Sequence, residues 1–500
     1  MDISRRFFIG GAASFGAFGG CRFFECHDFR TGGSPNLRFG VVSDIHITHV
    51  GGDEEMSGWG NALTFRHALE WFRDQGVDAV VIAGDMADNG VIAQLEAVAE
   101  TWRAVFPDDR APDGRRVERV FVYGNHDMGG LPYASWWLGQ KGVTDEAEVR
   151  RRIILPDPKS VWERVFGEPY EPVYRKTVRG YDFIGAHWMA QGCKGKDEAF
   201  NDAVAGFYAK AGRRFDPSLP FFHVQHPHPK DTCYGPWAWG RDAGLTTAAL
   251  SEHPNAIAFS GHSHFSLTDE RTVWQGAFTS VGTGSLRYTG MPYSEYPGVG
   301  FENTWSDGPD AERVNKAKLM DGFDAGDCRQ GMLWSVYDDC IVVRRREFLS
   351  DLDVAADWVL PLPSAEPRPF AFAERAKKFA APAFAADGAI EVVREKAKTR
   401  GGTEKEAFKV IAPSAAADPR ARLHDLEFVA EGEDGAKTSR RVIAEGFNHA
   451  CAHPKAVARS FCRFACDALP KGRVRFSVTP MNCFHARGKT LTTDWFENPK

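Results

Sequence analysis

The sequence predicts an α/β domain followed by a smaller all-β domain, on three observations. Apolar runs at 37–42, 77–83, 117–123, 221–225 and 256–260 alternate with helical patterns, the order expected of βαβα units. Each run ends in a polar cluster that carries Asp, Asn or His, and in open α/β sheets the crevice beyond the strand ends is where ligands gather. A proline-dense stretch at 361–369 cannot continue a sheet, and short strand candidates divided by turn-rich segments follow it.

Taken in order, the chain opens on Ser4-Arg5-Arg6-Phe7-Phe8-Ile9, which matches the twin-arginine export pattern, with a mildly apolar, small-residue stretch at 10–20. Residues 1–26 are therefore expected to be an export signal. The protein is expected in the periplasm or at the cell surface of a bacterium, and Cys21 of Phe18-Gly19-Gly20-Cys21 offers a lipid-anchor position that lacks the usual aliphatic residue. The α/β domain is expected over 36–350. A first crossover helix fits 61–76, and Ile92, Leu95, Ala99, Trp102 and Phe106 give a second helix one apolar stripe. Residues 273–285 read as strand and turn, and 332–337 with 341–348 as a hairpin split by Asp338-Asp339. Between them, 287–330 is rich in Gly, Pro, Asp and Tyr and reads as a long loop, functional or poorly ordered. A linker is placed at 351–369 and a β domain at 370–500. Its strand candidates at 390–396, 408–412, 426–431, 441–446 and 474–478 suit a sandwich of fibronectin III or immunoglobulin type.

Composition narrows the partners. With 500 residues, 43% hydrophobic and 26% charged, the chain can bury more than one core. A formal net charge of −6 argues against the basic face that nucleic-acid binding needs, and no apolar stretch reaches the ~20 residues of a membrane-spanning helix. Ten cysteines permit disulfides in an exported chain. Cys451, Cys462, Cys466 and Cys483 crowd the last fifty residues without a C-x-x-C pair, which favours disulfides or buried thiols over zinc; the Cys462/Cys466 spacing also fits one helix face.

The chemistry lies in the polar clusters: Asp44-Ile45-His46, Gly84-Asp85, Gly124-Asn125-His126-Asp127, His226 and Gly261-His262-Ser263-His264. Together they hold enough carboxylate, amide and imidazole for two metal ions. In this order and spacing they resemble the calcineurin-like metallophosphoesterase family, whose signature runs D-x-H, G-D, G-N-H-[DE], H, G-H-x-H. The resemblance implies a two-sheet αββα sandwich and hydrolysis of phosphomonoesters or phosphodiesters, with paired metals activating water and clamping phosphoryl oxygens. It further implies that Asp44, His46, Asp85 and His264 hold one ion and Asp85, Asn125, His226 and His262 the other, with Asp85 as the bridge. His126 would be the general acid and Asp127 its orienter. Among His223, His226 and His228, the strand alternation and the following proline favour His226 as the ligand, leaving His228 to approach substrate or lie exposed. Mixed nitrogen and oxygen donors suit Mn, Fe or Zn over Ca. Trp136, Trp137, Trp237 and Trp239 lie in the loops after the third and fourth motifs, where they could stack on a substrate ring or pack the loops. Substrate range stays open: a diesterase specific for nucleotides or lipid headgroups is one alternative, and a non-catalytic surface binding protein on the same scaffold is another.

Overall fold

The computed structural model describes residues 33–499 except 49–61, 192–197, 212–214, 235–241, 291–293, 297–298, 307–309, 323–327 and 363–367. The expected signal at 1–26 with Cys21, and Trp237 and Trp239, lie outside the described residues. No helix among the described residues is long and apolar enough to cross a membrane.

β1 (Leu37–Val42), β2 (Ala79–Ala83) and β3 (Glu118–Val122) run parallel because a crossover helix joins each to the next: α1 (Leu63–Asp74), then α2 (Ile92–Val105). β1 also pairs antiparallel with Gln330–Val336, which forms the expected hairpin with Cys340–Glu347. Leu352–Asp353 and Trp358–Pro361 pair with that last strand, completing a seven-stranded sheet. The sheet thus takes up 352–361, where a linker was expected. Val343 opposite Trp358 and Ile341 opposite Leu360 bury apolar side chains, which a solvated linker would leave in water.

The second sheet has six strands, in the order β4 (Val173–Val178), β5 (Tyr181–Ala186), β6 (Phe221–Val224), β7 (Ala256–Ser260), β9 (Thr279–Gly282) and β8 (Val273–Gln275). The two sheets meet face to face through Phe39, Phe183, Phe222, Phe259 and Trp334, with Phe39 centred 5.1 Å from Phe183 and 4.7 Å from Phe222. The outer face of the first sheet is covered by α1 and α2 through Phe65, Leu69, Phe72, Leu95 and Trp102, as the apolar stripe of α2 predicts. The helix Glu198–Ala211 covers the other through Phe200, Val204 and Tyr208. The result is the αββα sandwich.

Downstream, a three-stranded sheet (Glu391–Lys398, Glu404–Ile411, Phe461–Ala465) and a five-stranded sheet built on Leu423–Gly432, Lys437–Ile443 and Gly472–Asn482 enclose a core of Phe408, Phe428, Phe464, Phe476 and Val478. Cys462 sits in a strand rather than a helix, because 461–465 alternates in period two: Cys462 and Phe464 are buried while Phe461 and Arg463 are half-buried. The described cysteines carry free thiols, and those of Cys462, Cys466 and Cys483 are buried. Part of 287–330, expected as a loop, is structural: it forms the helix Ala311–Ala317, and Phe301 and Met320 enter the β-sandwich core.

Candidate metal centre

All nine sequence-designated residues come together at the carboxyl ends of β1, β2, β3, β6 and β7. The loops are laced to one another: Asp44 N–H donates to Gly84 O at 3.0 Å, His46 N–H to Asp85 O at 3.0 Å and Gly261 N–H to His226 O at 3.0 Å. Two glycines are required by close approach, since a Cβ on Gly124 would strike the Asp85 carboxylate and one on Gly261 the Asp44 carboxylate. Asp44, His46, Asp85, His262 and His264 hold φ at 50°, 49°, 53°, 69° and 56°. A left-handed backbone costs a non-glycine residue roughly 1–3 kcal/mol, and such strain collects where function over-determines geometry.

The donors form two groups that share Asp85: Asp44, His46, Asp85 and His264 in one, Asp85, His226 and His262 in the other. Asp85 Oδ2 lies 3.6 Å from His46 Nε2 and 3.1 Å from His226 Nε2, so one carboxylate oxygen faces both. Asn125 Oδ1 joins the second group at 2.9 Å from His226 Nε2.

The tautomers say what this cluster can hold. His46 Nδ1 faces Asp88 Oδ1 at 2.9 Å, His264 Nδ1 faces Tyr288 O at 3.1 Å and His226 Nδ1 faces Ala83 O at 2.8 Å. Those oxygens can only accept, so each Nδ1 is the N–H and each Nε2 of a neutral ring presents a lone pair. The Nε2 atoms of His46 and His264 then oppose each other at 3.0 Å, with Asp44 Oδ1 3.1 Å from the latter. His226 Nε2 faces two oxygens in the same way. Only a cation between such acceptors, a proton or a metal ion, relieves the opposition.

The electrostatics agree. Burial alone would strip the proton from His46 and His226, but the Asp44, Asp88 and Asp85 carboxylates hold His46 up at about 9, and Asp85 and Asp44 hold His226 up at about 9. Burial opposes ionisation of Asp44 and Asp85, yet the surrounding imidazoles keep both below the usual carboxylate range. A buried site with this affinity for positive charge, built of imidazole, carboxylate and amide, fits two borderline divalent ions.

The remaining expectations divide. His126 lies at the mouth, its side chain 30% exposed, its ring 4.5 Å from that of His46 and its backbone N–H donating to Asp85 Oδ1 at 2.8 Å. Burial lowers its pKa. Asp127 does not orient it. That carboxylate accepts the backbone N–H groups of Gly124 and Ala87, each at 2.7 Å, and of Met86 at 3.3 Å, and so ties the β2 loop to the β3 loop. His126 Nδ1 is held instead by Asp88 O at 2.7 Å. His223 is buried between the Tyr208 hydroxyl and Gln225, on the opposite face from His226 as strand alternation requires. His228 neither meets solvent nor enters the cluster; it is buried between the Ser260 and Ser263 hydroxyls. Trp137 packs in a small apolar cluster and Trp136 is exposed.

Sequence reading missed Asp88, Arg287 and Tyr288. Asp88 bonds His46 and pairs with the Arg287 guanidinium, and the Tyr288 ring lies over His264 at 4.3 Å. A second Asp three residues after Asp85 was a usable signal; nothing in the spacing marked Arg287.

The calcineurin-like phosphoesterase model matches residues 37–266, so this part of the chain carries a calcineurin-like phosphoesterase domain. No curated protein matches. Among solved structures, a dimetal phosphatase from Danio rerio is 12% identical, covering 66% of this chain and 99% of its own at a TM-score of 0.35. A purple acid phosphatase from yellow lupin (Lupinus luteus) seeds is 12% identical, covering 65% of this chain and 54% of its own at 0.37.

Proposed function

We propose that this protein hydrolyses small phosphate esters, monoesters or diesters, at a dinuclear centre. Asp44, His46, Asp85 and His264 hold one ion, and Asp85, Asn125, His226 and His262 the other. The observation that carries this reading is the set of imidazole lone pairs and carboxylate oxygens turned on one another around Asp85. Mn, Fe or Zn ions there would activate water and neutralise phosphoryl oxygens. The chain's own groups do the rest. Asp88 orients His46 and steadies His126; Arg287, beside Asp88, meets the anionic oxygens of the ester. His126 gives the proton to the leaving oxygen, the nearby phosphate anion raising the affinity for protons that burial lowers.

Metal analysis of the purified protein, together with turnover of a p-nitrophenyl monoester and a bis-p-nitrophenyl diester, tests the proposal. Two equivalents of metal that depend on Asp85, and hydrolysis of either ester, are expected. Bound metal with turnover of neither would make this a non-catalytic binding protein on the same scaffold.

We further propose that the protein is exported through Ser4-Arg5-Arg6-Phe7-Phe8-Ile9. Arg5→Lys with Arg6→Lys keeps the charge but changes the receptor-read motif, so fractionation should find the double variant retained in the cytoplasm. Unchanged export would point to another route.

A further inference from the structure

A second cluster of metal-ligating side chains lies where the phosphoesterase body meets the β sandwich. Cys328 stands two residues before Gln330–Val336, and Gln330 is paired in register with Glu347, the last residue of its partner strand. The hairpin therefore brings Cys328 and Glu347 to one end of the sheet. His449 arrives from the β sandwich, held by Gln330 Nε2–H to Asn448 O at 2.8 Å and Ala450 N–H to Glu347 Oε2 at 2.9 Å. All three are buried, at 0%, 0% and 3% exposure, and their donor atoms lie within 4.8 Å of one another.

The separations suit a metal better than the alternatives. His449 Nδ1 is 3.4 Å from Cys328 Sγ and 3.8 Å from Glu347 Oε1. At 3.8 Å the imidazole–carboxylate pair is too long for a hydrogen bond. Around a tetrahedral zinc, bonds of about 2.3 Å to sulfur and 2.0–2.1 Å to nitrogen and oxygen place S and N roughly 3.5 Å apart and N and O roughly 3.3 Å apart. The two His449 separations lie within about half an ångström of these values. A nucleophilic triad does not fit: it needs carboxylate and thiol on opposite ring nitrogens and a path for substrate, whereas here both are nearest the same nitrogen and all three groups are sealed from water. The Glu347 carboxylate is fixed in place by the Ser350 hydroxyl on Oε1 at 2.5 Å and the Ala450 N–H on Oε2 at 2.9 Å. Next to His449, both polar atoms of the Asn448 amide are buried without a hydrogen-bond partner, a second mark of an incomplete polar shell at this junction.

We infer that Cys328, Glu347 and His449 supply three of the four ligands of a structural zinc-class divalent ion that clamps the phosphoesterase body to the β sandwich. Its effect reaches the active centre through packing alone: Thr289 Oγ1 bonds Cys328 O at 2.6 Å, and the preceding Tyr288 carbonyl holds His264.

A thiolate ligand gives the test a signature that the strand-end centre, with no cysteine, cannot produce. Full-length protein stripped with a chelator and reloaded with Co²⁺ is expected to show thiolate-to-cobalt charge-transfer absorption in the near ultraviolet. Cys328→Ser should abolish that band and remove one equivalent of zinc, and Glu347→Gln should weaken retention of that equivalent. Asp85→Asn, which damages the strand-end centre, should leave the band intact, so failure here and failure of the proposed activity are separable. Absence of the band in the wild-type protein, or its survival in Cys328→Ser, overturns the inference; if Cys328→Ser does not fold, the wild-type spectrum still decides.

Discussion

The strand-end cluster and the chain of polar groups that joins Asp269 to Arg441, apart from the Cys328 cluster at the same junction, are both hidden from water, yet they are built in opposite ways. Along that chain the groups alternate in sign. Asp269 accepts from Arg271 Nη2 at 2.6 Å, Arg271 Nη2 reaches His424 Nε2 at 3.1 Å, His424 Nδ1 donates to Asp425 at 2.8 Å, and Arg441 Nε closes on Asp425 at 2.7 Å. Arg345 and the Trp358 indole satisfy Glu270 at 2.8 and 2.7 Å. At the strand ends, by contrast, imidazole nitrogens and carboxylate oxygens confront one another on strained backbone. Burial therefore does not separate scaffold from site. The pattern of donors and acceptors does: an alternating network pairs each carboxylate with donors, and a set of facing acceptors favours a cation.

The severest way to break this contrast is at Asp85. Asp85→Ala should lose both strand-end metals and all measurable turnover, whereas Asn125→Ala should mainly weaken the second ion, because a bridge serves two ions and a terminal amide one. Elemental analysis beside turnover checks this, and an Asp85→Ala protein with full metal and normal rate would remove the bridge from the reading.

At His126 the expected loss is smaller and selective. His126→Ala should slow an alkyl phosphate ester by roughly 10² to 10⁴, as lost acid catalysis does. A p-nitrophenyl ester, whose leaving group departs as its anion, should suffer much less. Equal losses at matched metal content would mean that His126 positions phosphate instead of donating to the leaving oxygen.

The Asp269-to-Arg441 chain should respond in stability alone. Arg441→Ala strands Asp425, 1% exposed, and should cost about 3–5 kcal/mol in urea unfolding while the folded protein keeps its metal content and turnover. Loss of metal at full folding would show that the two regions are not independent.

The smallest effect sharpens the contrast with a buried histidine that belongs to neither region. His187 is enclosed by Trp162, Tyr170 and Tyr123, and burial, with Lys176 adding to it, lowers its pKa to about 3. The unfolded chain, titrating near 6.5, binds more protons between the two values, so stability is full above 6.5 and falls as pH drops towards 3. The loss is roughly 1.4 kcal/mol per pH unit, about 2 kcal/mol at pH 5. His187→Phe should flatten this acid limb, and thermal melts at pH 5 and 7 give the comparison; an unchanged limb would place the acid-sensitive group elsewhere.

What the sequence by itself determined is local. Continuous apolar runs and period-3.6 apolarity placed β1, β2, β3, β6, β7, α1, α2 and the hairpin, but not β4 or β5, and each donor cluster sits within a few residues of the strand that aims it, so the cluster membership was legible without coordinates. What only the tertiary structure decided is reached across long stretches of chain. It turned Asp127 onto the backbone of the β2 loop and gave His126 to Asp88. It drew Trp358–Pro361 into a sheet and sent Phe301 and Met320 into the β-sandwich core. It also set His449 beside Cys328, 121 positions away. Spacing along a chain reports which neighbours share a face, over about ten residues; which distant faces meet is settled by the burial of apolar surface and the pairing of polar groups in the whole molecule, and no local pattern carries it.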